Sequence, residues 1–171
     1  MGWISSIFKR TPHENKVNTF TIRQGKSVAV NEAFKAWTSG DLDLMLKAVD
    51  LKTNPIDRHF LLQSIVGATY KLRKDEKYRI LCIEYSEKHL EEFPEISPAL
   101  KEDMGGSFPL VTTFQHYATV LSEANNFDKA IEVCHQALSY GLHDNTQSGF
   151  IGRIKRIGKK AQKISNEILN K

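Results

Sequence analysis

The sequence predicts an all-α fold. From residue 28 onward, apolar residues recur at three- and four-residue intervals, as they do on the buried side of a helix, and no convincing strand pattern is present. Residues typical of helix starts and stops separate these segments. With 171 residues, 40% of them hydrophobic and 26% charged, the chain has the composition of an ordinary globular protein of one domain.

Residues 1–27 are polar overall and are predicted to form an N-terminal tail or linker, with a candidate extended segment at residues 19–22. Close to the start lies a short apolar group that would form one face of a two-turn helix, able to dock on the protein, on a partner or on a membrane surface. The residues of this group are Trp3, Ile4, Ile7 and Phe8.

Residues 28–171 are predicted to form a single helical domain that begins with a helix hairpin at about residues 28–50. Gly40 between the two helices suits a left-handed cap, and Asp41 suits the start of the second helix. The apolar stripes of this pair are Val30, Ala33, Phe34 and Trp37, then Leu42, Met45, Leu46 and Val49.

A second hairpin is predicted at about residues 55–93. Asn54-Pro55 is a strong helix start, because asparagine caps well and proline fits the first turn. The helix that follows is apolar nearly all round, which predicts neighbours on several of its sides. Pro94 is expected to end the second helix of the pair and to begin a linker, within which Ser97 could open a short helix.

The third hairpin is predicted at about residues 108–140, with Gly141 as its C-cap. Its pattern resembles a tetratricopeptide repeat (TPR) unit, in which small residues let two antiparallel helices approach closely and large residues fill the space beside them. The residues that carry the resemblance are Phe114, Tyr117, Ala118, Leu121, Phe127, Ala130, Cys134, Ala137 and Leu138.

The resemblance implies a TPR-like antiparallel helix-hairpin array, a right-handed solenoid-like stack of about seven helices. The hairpin at residues 55–93 resembles the repeat more loosely, and residues 126–153 resemble the C-terminal part of a group of small bacterial TPR-like proteins. That likeness carries no activity. A helix at about residues 149–170 would then cap the open end of the stack.

The resemblance also implies where a partner would bind, because TPR units use the polar side of their first helices. In the best repeat these positions are Thr112, Gln115, Thr119 and Ser122. They are neutral and rich in hydroxyl groups, so the Lys/Asn/Arg set that grips C-terminal carboxylates in one TPR subclass is not supported. A face for a neutral helix or an extended peptide stays open.

Charge is unevenly distributed, since residues 150–171 carry a net charge of +6 and the rest of the chain a net charge of −2. Such a cluster is typical of the solvent-exposed side of an amphipathic cap, and it is also a candidate surface for nucleic acid or anionic lipid. The candidate basic patch consists of Arg153, Arg156, Lys159, Lys160 and Lys163.

No motif supports catalysis, a cofactor or a metal. The six histidines and the cysteines Cys82 and Cys134 lack the close spacing of metal ligands, and no phosphate-binding loop or Ser/His/Asp set is recognisable. The two cysteines fit helical apolar stripes, which predicts buried thiols in a reducing, cytoplasmic compartment.

These observations predict a non-enzymatic protein–protein interaction module that acts as a scaffold or adaptor and binds a peptide or helix. Nucleic-acid or anionic-surface binding through the basic helix is the first alternative, and an unrecognised enzyme is the second. Homo-oligomerisation stays open, and nucleic acid and membrane contact are the less favoured partners.

Overall fold

A computed structural model describes residues 19–169. The short apolar group near the N-terminus, and with it the question of where that group docks, lies outside the described residues. Two short strands precede seven helices in the described part of the chain. Their bounds are β1 Phe20–Arg23, β2 Lys26–Ala29, α1 Glu32–Ser39, α2 Leu42–Ala48, α3 Pro55–Lys71, α4 Glu76–Asp103, α5 Thr113–Glu123, α6 Phe127–Ser139 and α7 Gly149–Leu169.

The helices begin where the sequence places side-chain caps. The Asn31 and Asn54 amide oxygens accept hydrogen bonds from the backbone of Phe34 at 2.8 Å and of Asp57 at 2.9 Å. Asp41 caps α2 in the same way. Gly40 lies in the left-handed region at φ 72°, so α1 ends and α2 begins within a few residues. The mostly helical prediction is therefore confirmed.

The helix α3 lies at the centre and contacts α1, α2, α4 and α5. Its side chains Leu61, Leu62, Ile65 and Val66 are completely buried, as expected for a helix that is apolar on most sides. The pair α5 and α6 packs beside α4, and α7 packs on α6. Each helix therefore covers its neighbours in chain order, and the core is continuous from α1 to α7.

The prediction that the fourth helix ends at Pro94 is wrong, because α4 is one helix of 28 residues that contains Pro94 and Pro98. Both prolines are exposed, whereas Phe93, Ile96 and Leu100 are buried. An interior proline costs about 3 kcal/mol, so the two together cost about 6 kcal/mol. Burial of each large apolar side chain contributes about 1.5–3 kcal/mol, so the three together offset the cost.

The next connection therefore lies later than predicted. It runs from Met104 to Thr112, and α5 begins at Thr113 rather than near residue 108. Within this connection Phe108 packs on Phe93, with ring centroids 5.9 Å apart. Phe108, which the sequence predicts to lie in a helix, thus lies in a loop and covers the core.

The expectation that the chain has no strands is also corrected. Strands β1 and β2 form an antiparallel hairpin in which Phe20 pairs with Ala29 and Arg23 with Lys26. Gln24 and Gly25 both have positive φ, at 48° and 71°, as two-residue hairpin turns require. Gly25 is the only residue whose type indicates this turn, so the sequence predicts a tail with one extended segment instead of a hairpin.

A tertiary contact holds the hairpin on the helices. Arg23 donates two hydrogen bonds to the buried Asp57 carboxylate, from Nε at 3.1 Å and from Nη2 at 2.6 Å. Asn54 and Trp37 also donate to Asp57, at 2.6 Å and 3.4 Å. A buried carboxylate is costly unless it is paired, so Asp57 ties the hairpin, α1 and α3 together.

Three polar side chains form a chain of hydrogen bonds through the core. His59 Nδ1 on α3 lies 3.0 Å from His89 Nε2 on α4, and His89 Nδ1 lies 2.7 Å from the Thr113 hydroxyl on α5. All three residues are completely buried. Burial lowers the pKa of His59 to about 4, and burial together with His59 and Arg58 lowers the pKa of His89 as well.

We expect this buried pair to make the protein sensitive to acid. The unfolded chain binds protons below the ordinary histidine pKa of about 6.5, whereas folded His59 binds one only near pH 4. The free energy of unfolding should fall as the pH decreases from about 6.5 to 4, by about 3 kcal/mol from His59 alone. Urea unfolding at several pH values measures this slope.

A matched variant shows whether the slope comes from the buried pair. His135 lies exposed on α6, so His135→Gln, which leaves the His59–His89 pair in place, is the control variant. His59→Phe should lower stability at neutral pH, because His89 loses its partner, and should also flatten the slope between pH 6.5 and 4. An equally steep slope in His59→Phe would contradict this account.

The contact between α5 and α6 predicts a second effect on stability. Ala130 is completely buried in the core that these helices share, together with Ala118 and Cys134. Ala130→Trp should lower the melting temperature strongly, since overpacking typically costs about 1–3 kcal/mol or more. Glu132→Trp, on the exposed side of the same helix, is the control. Equal melting temperatures for both variants would mean that α5 and α6 do not approach closely.

Candidate functional site

The four residues predicted to bind a partner lie together on the side of α5 that turns away from the core. Thr112, Gln115, Thr119 and Ser122 are all half-buried, whereas Phe114 and its neighbours on the opposite side are buried. We call the surface formed by these four residues and His116 the α5 face. It is a narrow polar strip with α3 on one side and α7 on the other.

The α3 side of this strip is fixed by hydrogen bonds. Gln63 on α3 accepts a hydrogen bond from the Thr112 backbone at 2.8 Å and donates one to the Leu110 carbonyl at 3.3 Å. Helix α5 has no side-chain cap of its own, so these two bonds secure its start. The α5 face therefore begins at a position that α3 determines.

Three side chains form a stack further along the α3 side of the face. The Tyr70 and His116 rings lie parallel with their centroids 4.0 Å apart, and the Arg73 guanidinium lies 4.0 Å from the Tyr70 centroid. Two groups this close to one ring cannot share a face, so Tyr70 is covered on both. Arg73 is also held by two hydrogen bonds of 2.9 Å to Glu123.

The α7 side is bordered by cations that bond directly to α5. Arg153 donates to the Thr119 hydroxyl at 2.9 Å and to the buried Asp144 carboxylate at 3.0 Å. Lys160 donates to the Ser122 carbonyl at 2.6 Å. Burial alone would raise the pKa of Asp144, but hydrogen bonds from Thr146 and Arg153 outweigh it and lower that pKa.

The structure thus brings together the basic patch and the predicted partner-binding residues, which the sequence predicts as two separate groups. Arg153 and Lys160 of the basic patch contact the predicted partner-binding residues, and the exposed Arg156 lies one turn from each along α7. Lys159 and Lys163 are exposed, and neither is hydrogen-bonded to α5 in the described part of the chain. The α5 face is therefore bordered by positive charge, although its own residues are neutral.

The positive charge beside the face also affects the pKa of His116, which lies in the middle of the face. Burial, together with the nearby charges of Arg153, Arg73 and Lys71, lowers the pKa of His116 to about 4. At neutral pH the imidazole is therefore uncharged. Its Nδ1 atom and the Gln115 Oε1 atom are buried and have no hydrogen-bond partner among the described residues.

Sequence reasoning missed the stack and the buried histidine pair. The histidines lack the close spacing of metal ligands, and Tyr70 and His116, like His59 and His89, are on different helices and far apart in the chain. Their only local signal is that each occupies a position near an apolar stripe. No short spacing motif can report a contact between helices.

The described residues 19–169 also bear on metal binding, thiol chemistry and membrane insertion. No group of three histidine, cysteine or acidic side chains is placed to hold a metal in this range. Cys82 and Cys134 are buried free thiols, and burial raises the pKa of Cys134 to about 11. Among the helices described, none is long and apolar enough to cross a membrane.

Comparisons with protein-family models, with curated proteins and with solved structures gave no match. The function is therefore inferred from the geometry and chemistry of the chain alone.

The contacts of α7 predict different effects for its buried and its charged residues. Phe150 and Ile157 are buried against α6 and the core, so removal of residues 149–171 should cost at least about 3 kcal/mol and promote aggregation. Replacement of Lys159, Lys160 and Lys163 by glutamine should change stability by less than about 0.5 kcal/mol, because all three are exposed.

Thermal melting and light scattering measure both effects. A truncated protein that stays monomeric and equally stable would show that α7 is not needed to cover the core. If the glutamine variant in turn lost binding to nucleic acid or anionic vesicles, the helix would act mainly as a charged arm.

Proposed function

We propose that this chain is a non-enzymatic protein–protein interaction module with a TPR-like array of antiparallel helix hairpins. In this proposal the α5 face binds a peptide or helix of a partner protein. The observation that carries it is the half-buried polar strip of α5, which lies between α3 and α7 while the other side of α5 is buried. A surface of this kind suits recognition of a chain segment rather than a small molecule.

The order of the helices supports the TPR-like arrangement. The connections between α3 and α4 and between α5 and α6 are only a few residues long, which favours antiparallel neighbours. The buried small residues Ala118, Ala130 and Ala137 permit close approach within the second pair. The helix α7 packs on α6 as the first helix of another unit would, and in this role it also covers the end of the array.

The rigidity of the face also supports the proposal. Thr119 is held by Arg153, and Thr112 by Gln63, so these residues have little freedom to lose on binding. A preorganised surface binds more tightly because less entropy is lost when the partner arrives. The proposed setting is the cytoplasm, where the two buried thiols stay reduced.

A second candidate function is the binding of nucleic acid or an anionic surface through α7. The exposed side chains of Arg156, Lys159 and Lys163 favour it. Single-strand binders also use aromatic side chains on which bases stack. The only aromatic residue of α7, Phe150, is buried, and Tyr70 beside the α5 face is already covered on both faces. The peptide hypothesis is therefore preferred.

A bulky substitution on the α5 face tests the proposal. Partners are first purified with the full chain from its host, and their binding is then measured with purified components. Ser122→Trp should raise the dissociation constant about tenfold or more, because the indole occupies the strip. Ser139→Trp, exposed on α6, should bind as the wild type does.

Salt titration separates the two candidate functions. Nucleic-acid binding with a steep salt dependence, unaffected by Ser122→Trp, would favour the second candidate. Partners that bind the wild type and both variants equally would contradict the assignment of the α5 face.

A further inference from the structure

The cations beside the α5 face exceed the acids that neutralise them. The two acidic residues closest to it are already paired, Glu123 with Arg73 and Asp144 with Arg153. By contrast, Lys71, Arg156 and Lys160 have no carboxylate partner among the described residues, and all three are exposed. The charge on this side of the molecule is therefore not balanced within it.

The opposite charge is concentrated elsewhere. Helix α4 exposes Glu84, Glu91 and Glu95 at seven- and four-residue intervals, and no ion pair neutralises them in the described part of the chain. An acidic partner would thus be attracted to the α5 face and repelled by α4, and a basic partner would be directed the other way. The separation of charge gives the molecule two chemically distinct surfaces.

The cations are spread out rather than gathered at one point. Arg156 and Lys160 are one turn apart on α7, about 6 Å along the helix, while Lys71 lies on the other side of α5 at the end of α3. One terminal carboxylate cannot contact all three. Several carboxylate side chains along one segment can, since successive residues of an extended peptide advance about 3.3 Å.

The unpartnered atoms on the face also favour a peptide. Gln115 Oε1 is a buried acceptor without a donor, and a buried polar atom without a partner lowers stability. When the Gln115 amide turns outward, an extended peptide that approaches α5 carries backbone N–H groups that donate to it. A fully ionised anion or a phosphodiester has no such donor.

We propose that the α5 face recognises an internal acidic segment of a partner protein, with aspartate or glutamate side chains contacting Lys71, Arg156 and Lys160. This inference rests on the proposed function, because it assumes that the α5 face is where a partner binds. It adds the chemistry of that partner and the residues that select it.

A selection experiment with the full chain tests the inference. Random peptides of about 12 residues, displayed with flanking sequence at both ends, are selected on the protein at low ionic strength. The recovered sequences should be rich in aspartate and glutamate. A synthetic peptide from this set, amidated at its C-terminus, should bind at least about tenfold more tightly than its Asn/Gln counterpart.

Charge reversal shows where the peptide binds. The triple variant Lys71→Glu, Arg156→Glu and Lys160→Glu should weaken binding of the acidic peptide about tenfold or more. A control with the same net charge carries Lys47→Glu, Lys155→Glu and Lys159→Glu, all exposed and none hydrogen-bonded to α5 among the described residues, and should bind nearly as the wild type does. Circular dichroism verifies that both variants are folded.

The outcomes separate this inference from the function it rests on. If the selected peptides are neutral or basic and Ser122→Trp abolishes their binding, the proposal of an acidic partner is wrong, whereas the proposal of an interaction module stands. Peptides that bind regardless of Ser122→Trp would overturn both. Equal losses in the two charge variants would also overturn the inference. So would a single-stranded oligonucleotide that binds the α5 face and that no acidic peptide can displace.

Discussion

The architecture depends on the burial of α3. A helix with apolar residues on most of its sides is stable only when other elements cover it, and here α1, α2, α4 and α5 do so. Polar residues within such a helix must find partners inside the protein. Asp57 does so with Arg23, Asn54 and Trp37, and His59 does so with His89, so the hydrogen bonds that hold the neighbours in place follow from the burial itself.

The helices could be predicted from local patterns because capping and periodicity are local properties. Asn54-Pro55 and Gly40 marked their boundaries correctly, since a cap depends on residues within one turn. Pro94 misled the prediction because its effect is set by burial at Phe93 and Ile96, which depends on helices elsewhere in the chain. The turn at Gln24 was missed for the same reason, since Arg23 and Asp57 secure the hairpin across a long sequence separation.

The candidate site was predictable only in its parts. The polar positions of α5 and the basic positions of α7 each follow from helical periodicity, and both sets lie on the exposed sides of their helices. Their contact through Arg153 and Thr119 depends on how α7 packs on α6, which periodicity does not specify. The expectation of a neutral face therefore changes once the helices are assembled, although the residues identified on it are the same.

Helix α7 has two structural roles, since it packs on α6 and carries the cations that lie beside α5. The apolar stripe of α7 covers α6 through Phe150 and Ile157, and this docking fixes the angle at which its basic side meets α5. Arg153 joins the two roles, because its guanidinium bonds both to Asp144, which precedes the helix, and to Thr119 on the α5 face. The packing of α7 on α6 therefore completes the core and also positions the cations. The charge beside the α5 face is a consequence of this packing.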